Sequence, residues 1–333
     1  MLLEGIFLPL TTPFHPDGRL YLRKLESNVE RYSLTPAAGM LVLGQAGEAD
    51  GLRDREVEQV LSTAVGAAAD EKVMIAAVGR ESVCATLELA EFAADAGYDA
   101  VAVRAPEFAG DPAMPLELMT YFQAVADRSP LPVVLLGSLP AEAVATLAGH
   151  SQIIGVVGDG SLAKLTAGVS REVTVTNTFA AVTGRMLRAS GAGDFVPAES
   201  LGGVAVAVAP PKPRIKTRTK RVGFQVLAGS TGGMLEAWTV GASGGVPRLG
   251  ACAPQACCEV WQAFRDGDPA LAAEKQDRVL RVGELVEGWR GIAALKYGCD
   301  LNGYFGGRAR LPLLPLTAEE RFAVERGLAG LKN

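Results

Sequence analysis

The chain has 333 residues, 49% of them hydrophobic and 21% charged, with a formal net charge of −5. That charge balance argues against nucleic acid as a partner. No apolar run approaches the roughly 18 residues of a membrane span, so no membrane is expected either. The N-terminus enters a strand-like run without a basic leader, which makes the cytoplasm the expected compartment.

Gly5 to Thr12 reads as a first strand, with Thr11, Thr12 and Pro13 at its carboxyl end. Pro16-Asp17-Gly18 signals a turn, and Leu20 to Tyr32 has helical spacing. Met40 to Leu43 forms a short apolar run suited to a strand buried on both faces. Gly44 and Gly47 permit a tight turn carrying Gln45 and Glu48, and a charged helical segment follows from Arg53 to Ala69. Strand, polar loop and helix then recur. Strands are expected at Lys72 to Val78, Tyr98 to Arg104, Leu131 to Leu136 and Ile153 to Val157, with helices through Ala96 and over Leu116 to Asp127.

The rhythm breaks after the sixth strand. Glu172 to Asn177 is strand-like, Ala180 to Ala189 is helix-like, and a Gly/Ala/Pro/Val-rich segment runs to Pro213. Lys212, Arg214, Lys216, Arg218 and Lys220 alternate with other residues, which on an extended strand puts five cations on one face. Such a strand is either an arm reaching over an anionic group, bringing an amine such as Lys216 with it, or an edge protected by charge. Phe224 to Ala228 and Gly241 to Arg248 supply the last two strands. From Pro254 onward the spacing is helical, at Gln255 to Arg265, Pro269 to Glu287, Gly291 to Tyr297 and Ala318 to Leu331. Eight strands alternating with helices predict an α/β fold, a (β/α)8 TIM barrel over residues 1–250. An insertion is expected at about 171–222, between strands six and seven, with a C-terminal helical extension over 251–333.

Cys84, Cys252, Cys257, Cys258 and Cys299, with His15 and His150, make a poor metal inventory, so neither a metal nor a disulfide framework is expected. No cofactor is implied.

The chain resembles the dihydrodipicolinate synthase and N-acetylneuraminate lyase family. The resemblance rests on Leu10-Thr11-Thr12-Pro13-Phe14 with Asp17-Gly18, Gly44-x-x-Gly47-Glu48 with Leu52 and Glu56, and Ala94-x-x-Gly97-Tyr98-Asp99. It continues through Leu131-Pro132-Val133, Ile153-Ile154-Gly155, Phe224-x-Val226-Leu227-x-Gly229 and Gly241-Ala242-x-Gly244. Gly267-Asp268 and Lys296 before Leu311-Pro312-Leu313 complete it. The resemblance implies a barrel aldolase acting on a 2-oxo acid through a lysine Schiff base, and a homodimer or homotetramer. The residue matching that lysine is Val157, which has no amine and forms no imine. The family's hydroxyl pair after Gly44 is Gln45-Ala46, its fifth-strand tyrosine is Leu136, and its Pro-Tyr-Tyr after strand four is Pro106-Glu107-Phe108.

Strand ends therefore have to supply other groups. Those expected to face the mouth are Gln45, Glu48, Arg80, Arg104, Asp159, Ser230, Thr231, and Asn177 or Arg248. Arg104 breaks an apolar run and suits bidentate recognition of a carboxylate, or an ion pair with Glu48 or Glu107. Asp159 is a candidate general base, or an N-cap for the segment from Leu162. Glu48 is a second catalytic candidate, or a loop anchor. Gln45, Arg104, Arg80, Thr12 and Ser230 are the candidate substrate-binding residues, for a small anionic ligand. Lys164, Lys212, Lys216 and Lys220 are candidates for a relocated amine. Two functions remain open: a carbon–carbon lyase of the aldolase type that works without the usual Schiff base, and an inactive ligand-binding or regulatory paralogue.

Overall fold

In the computed structural model, residues 1–110, 114–190, 215–288 and 291–331 are described. Eight parallel strands close into a barrel: β1 (Gly5–Pro9), β2 (Gly39–Val42), β3 (Val73–Ala77), β4 (Ala100–Arg104), β5 (Val133–Leu136), β6 (Ile153–Gly158), β9 (Gln225–Ala228) and β10 (Gly244–Gly245). Each pairs with its neighbour in that order, and β10 returns to β1 through Gly5 and Gly244. Helices α1 (Leu22–Ser33), α2 (Asp54–Ala67), α3 (Val83–Ala96), α4 (Pro115–Ala126), α5 (Ala141–Leu147), α6 (Leu162–Leu165) and α8 (Met234–Thr239) follow barrel strands. Strands β2, β3 and β9 are buried along their whole length, as strands covered by helices on one side and a filled barrel on the other must be. Gly155 is needed where β6 meets β9, because a Cβ there would lie 2.3 Å from the Gln225 carbonyl oxygen. The predicted last strand, Gly241 to Arg248, is shortened to two residues; turns and a 3-10 segment, Arg248–Ala251, take the rest.

The described parts of the insertion, residues 171–190 and 215–222, lie at the opposite end of the barrel from the mouth. Its strands β7 (Arg171–Thr176) and β8 (Thr217–Val222) form a separate antiparallel pair, and α7 (Gly184–Ala189) docks on the amino ends of β3 and β4. There Arg185 reaches Asp99 at 3.5 Å and the Lys72 carbonyl, Gly184 N–H donates to Asp99 at 2.9 Å, and Thr183 donates to the Asp70 carbonyl. Arg171 caps the carbonyls of Ala148 and His150, both at 2.6 Å, at the start of β6. For Lys216, Arg218 and Lys220 this placement corrects the expectation of a cationic arm over the mouth. Lys220 and Arg218 pair in register with the buried Val173 and Val175, so they share the packed face of the hairpin. Lys220 is bound to Glu4 at 2.5 Å, and Arg218 stacks over Phe179. Lys212 and Arg214 lie outside the described residues.

After β10 the chain runs through α9 (Pro254–Arg265), α10 (Pro269–Glu287), α11 (Gly291–Leu301) and α12 (Ala318–Leu328). These helices brace the mouth loops at two points. From α10, Glu287 accepts from Thr231 and from the Arg248 N–H, and Gln276 donates to the Thr231 carbonyl. From α11, Lys296 passes beneath the loop after β2. Cys252, Cys257, Cys258 and Cys299 are buried as free thiols and Cys84 is exposed. Among the described residues no helix is long and apolar enough to cross a membrane.

Candidate functional site

The carboxyl ends of the strands open into a cavity of about 1110 Å³. Side chains alternate along each strand, so Ala77 of β3, Ala102 of β4, Leu136 of β5 and Val157 of β6 face inward and make an apolar floor. The register sets Arg104 beside Leu136, and Leu136 beside Val157, at one height. Val157 thus points into the mouth from the sixth strand, where the resemblance placed a lysine. Around the floor stand Gln45, Glu48, Asp50, Arg80, Arg104, Asp159, Ser161 and Ser230. The outer wall comes from Ile292 and the Arg310–Leu313 segment of the C-terminal extension.

Glu48 is held on both oxygens. It has φ 55°, a left-handed conformation uncommon for a side chain of this kind. Its Oε1 lies 2.5 Å from Lys296 Nζ, and its Oε2 accepts the Arg310 N–H at 2.8 Å. Lys296 is 0% exposed, rests 4.4 Å from the centre of the Phe14 ring, and also donates to the Arg308 carbonyl. Burial pulls the Lys296 ammonium below the ordinary lysine range, and the Glu48 charge opposes that shift. Arg310 in turn grips Glu56 through two bonds of 2.7 and 2.8 Å and lies over the Phe14 ring, 4.5 Å from its centre. The Glu56 carboxyl is held down to about 2 by those bonds. Glu48 therefore acts as the loop anchor that joins the barrel to its extension.

Thr12 donates to the Gly47 carbonyl at 2.6 Å and is buried under the same loop, so it is scaffold and not a wall of the cavity. Asp159 does line the mouth. Its Oδ1 accepts the Ser161 N–H at 2.8 Å, which closes a turn ahead of α6 and leaves the N-cap position to Ser161. The bonds from Ser161 lower the Asp159 carboxyl below the usual range, so it stays ionised. Arg104 pairs with Asp50 at 3.3 Å and Glu81 at 3.0 Å, and not with Glu48 or Glu107. Arg80 donates to the Gly79 carbonyl at 3.1 Å; among the described residues no carboxylate is in ion-pair range of it. Burial pushes its guanidinium down from the ordinary arginine range.

Of the other expected mouth residues, Thr231 is fully buried against Glu287, and Asn177 sits on the hairpin at the far end. Arg248 approaches the rim, where it holds Gln45 at 3.3 Å. Lys164 and Lys220 border a groove with Glu4 at the barrel base, and Lys216 bonds through its carbonyl to Asn177. Among the described residues no lysine lines the mouth. The wall from Arg310 to Leu313 carries only a weak sequence signal, the Leu311-Pro312-Leu313 run, which lies far from any strand end. Among the described residues, no cluster of three or more His, Cys, Asp or Glu side chains is placed to hold a metal ion.

A closed parallel barrel with its polar cavity at the carboxyl ends, braced by C-terminal helices, defines a TIM-barrel protein. The chain belongs to the Dihydrodipicolinate synthetase family, whose model matches residues 2–193 and 179–330. A 4-hydroxy-tetrahydrodipicolinate synthase from Gluconacetobacter diazotrophicus is 25% identical over 98% of this chain and 96% of its own. An L-threo-3-deoxy-hexylosonate aldolase from Hypocrea jecorina is 26% identical over 97% and 94%. Among solved structures, YagE, a prophage protein of that family from E. coli K12 in complex with pyruvate, superposes with TM-score 0.76 at 22% identity, over 99% of both chains.

Proposed function

We propose that the protein is a lyase of the aldolase type that binds a 2-oxo acid or related carboxylate in the barrel mouth and works without a lysine Schiff base. The observation that carries this reading is a mouth that keeps a polar rim over an apolar floor, with Val157 and Leu136 at the family's lysine and tyrosine positions. Similarity to the aldolase from Hypocrea jecorina supports an aldol-type reaction. In the cleavage direction, the Asp159 carboxylate takes the proton of a hydroxyl on the carbon beyond the breaking bond. That bond's electron pair passes into the ketone to give an enolate, which Arg104 or Arg80 stabilises by charge before it takes up a proton. Gln45, Glu48 and Ser230 complete the wall around the bound ligand. The assembly is a homodimer or homotetramer, and the reaction needs no cofactor.

A second reading is favoured by one observation. Glu48 is locked to Lys296, and Asp159 is made a weak base by Ser161, so neither is poised for proton abstraction. On that reading the protein is a ligand-binding paralogue using the same mouth.

Borohydride treatment with pyruvate and a panel of 2-oxo acids, read by intact mass, is paired with an assay for pyruvate release from 2-keto-3-deoxy sugar acids. Pyruvate release without any covalent adduct is the expected result. An adduct on a mapped lysine refutes the non-covalent route, and absence of turnover across the panel favours the binding protein.

A further inference from the structure

Two arginines enter the mouth from adjacent strands, but their surroundings differ. Arg104 is neutralised: Asp50 and Glu81 flank it, and Nη1 also donates to the Ala105 carbonyl at 3.2 Å. A ligand carboxylate arriving there meets one cation between two anions. Arg80 is the opposite case. A guanidinium has five donors, and Arg80, which lines the cavity, gives one to its neighbour's carbonyl, while Asp54 and Asp50 act on it only through space, beyond ion-pair range.

The rest of Arg80 is fixed with unusual care. Its N–H donates to Thr86 Oγ1 at 2.9 Å, and its carbonyl accepts from Tyr121 OH at 2.8 Å. Thr86 and Tyr121 are themselves joined at 2.8 Å, and both are buried. This triangle ties the end of β3 to α3 and α4. Gly79 adds to the constraint, since a Cβ there would lie 2.6 Å from the Arg104 nitrogen. A half-buried cation on a rigid mount, with no carboxylate in ion-pair range among the described residues, is an arrangement in which an anionic ligand meets little reorganisation cost.

The far wall has different chemistry. Strand β9, followed by the loop that carries Ser230, is four places from β3 in the eight-strand ring, directly across the mouth, and β6, followed by Asp159 and Ser161, stands next to it. Hydroxyls and a carboxylate there suit the hydroxyl groups of a ligand and repel a second carboxylate.

We propose that Arg80 is the anion anchor of the mouth, and that the ligand is a polyhydroxy monocarboxylate whose carboxylate docks at β3 while its hydroxylated chain crosses toward Ser161, Asp159 and Ser230. This rests on the anionic-ligand reading above but not on catalysis. Arg104 then sets the shape of the wall between Asp50 and Glu81. Charge-assisted bonds to an anchor of this kind correspond to roughly 10- to 150-fold in affinity.

The test is calorimetric titration of the full-length protein with gluconate, the dicarboxylate glucarate and neutral glucose. The expected order is gluconate tightest, with Arg80→Ala weakening it at least about tenfold at unchanged Tm, Arg80→Lys recovering part, and Tyr121→Phe giving a smaller loss through misplacement of Arg80. In parallel, gluconate is expected to protect Arg80, and not Arg104, from phenylglyoxal, with the modified residue mapped by mass spectrometry. Binding of gluconate by Arg80→Ala within threefold of the parent overturns the proposal, as does protection of Arg104 alone, a preference for glucarate, or no binding of gluconate by the parent. Because nothing here requires turnover, a failed lyase assay leaves this result standing, and a failed Arg80 test leaves the lyase reading standing.

Discussion

Lys296→Met removes the amine that sits under the mouth loop while keeping most of the side chain's volume. Lys296 is 0% exposed, and its ion pair with Glu48 spans 2.5 Å. After the change Glu48 keeps the Arg310 N–H on Oε2, but the buried Oε1 loses its ion-pair partner. Breaking one side of a buried pair costs about 3–5 kcal/mol, most of it from the charge left behind. With an unfolding entropy of about 2.1 cal/mol/K per residue, a chain of this length has roughly 0.7 kcal/mol/K, so Tm is expected to fall by about 4–7 °C. Urea unfolding gives the free energy directly, with the m-value checked for constancy. The double variant Glu48→Gln/Lys296→Met removes the orphan charge as well, and is expected to recover at least about 1 kcal/mol of the loss. A single-variant loss under about 1 kcal/mol, or a double variant that is simply additive, refutes the assignment of this pair as the anchor between barrel and extension.

The remaining predictions concern the same mouth and its base. Glu56 titrates at about 2 in the folded protein against 4.5 as the ordinary value. In that window the unfolded chain binds more protons, so the stability from the Arg310 pair is complete above about pH 4.5 and disappears as pH falls toward 2. Glu56→Gln is expected to be less stable at neutral pH and flatter across that window, as read from denaturation at several pH values. Val157→Lys places an amine on the apolar floor, where burial lowers its pKa and raises its nucleophilicity. It is expected to give a pyruvate adduct under borohydride that the parent lacks; no adduct in a folded variant shows that the sixth-strand position is not aimed at the ligand. Arg185→Met leaves Asp99 buried and is expected to cost about 3 kcal/mol and expose the insertion to limited proteolysis, with the mouth's ligand affinity unchanged.

The barrel was legible from the linear chain because its grammar is local. Short apolar runs such as Met40 to Leu43 and Val101 to Val103, each closing on a polar or glycine-rich turn, specify strands buried on both faces, and the helices between them have their own periodicity. The same locality placed Gln45, Arg80, Arg104, Asp159 and Ser230 at the rim, since each ends a strand or lies in the loop just after one. It also set Val157 on the inward face of the sixth strand. What locality could not supply was the partner of each side chain. Arg104 meets Asp50 and Glu81, Glu48 meets Lys296 across some 250 residues of chain, and Lys220 turns toward Glu4 at the base. These are choices of charge pairing and burial made only when the barrel closes and the extension folds back. An alternating run of cations has the same pattern whether it faces solvent, a ligand or a carboxylate. The sequence by itself determined that Gln45, Glu48, Arg80, Arg104, Asp159 and Ser230 stand at the mouth; tertiary structure removed Thr12, Thr231 and Asn177 from it, added the Arg310–Leu313 wall, and left Arg80 as the mouth cation with no carboxylate in ion-pair range among the described residues.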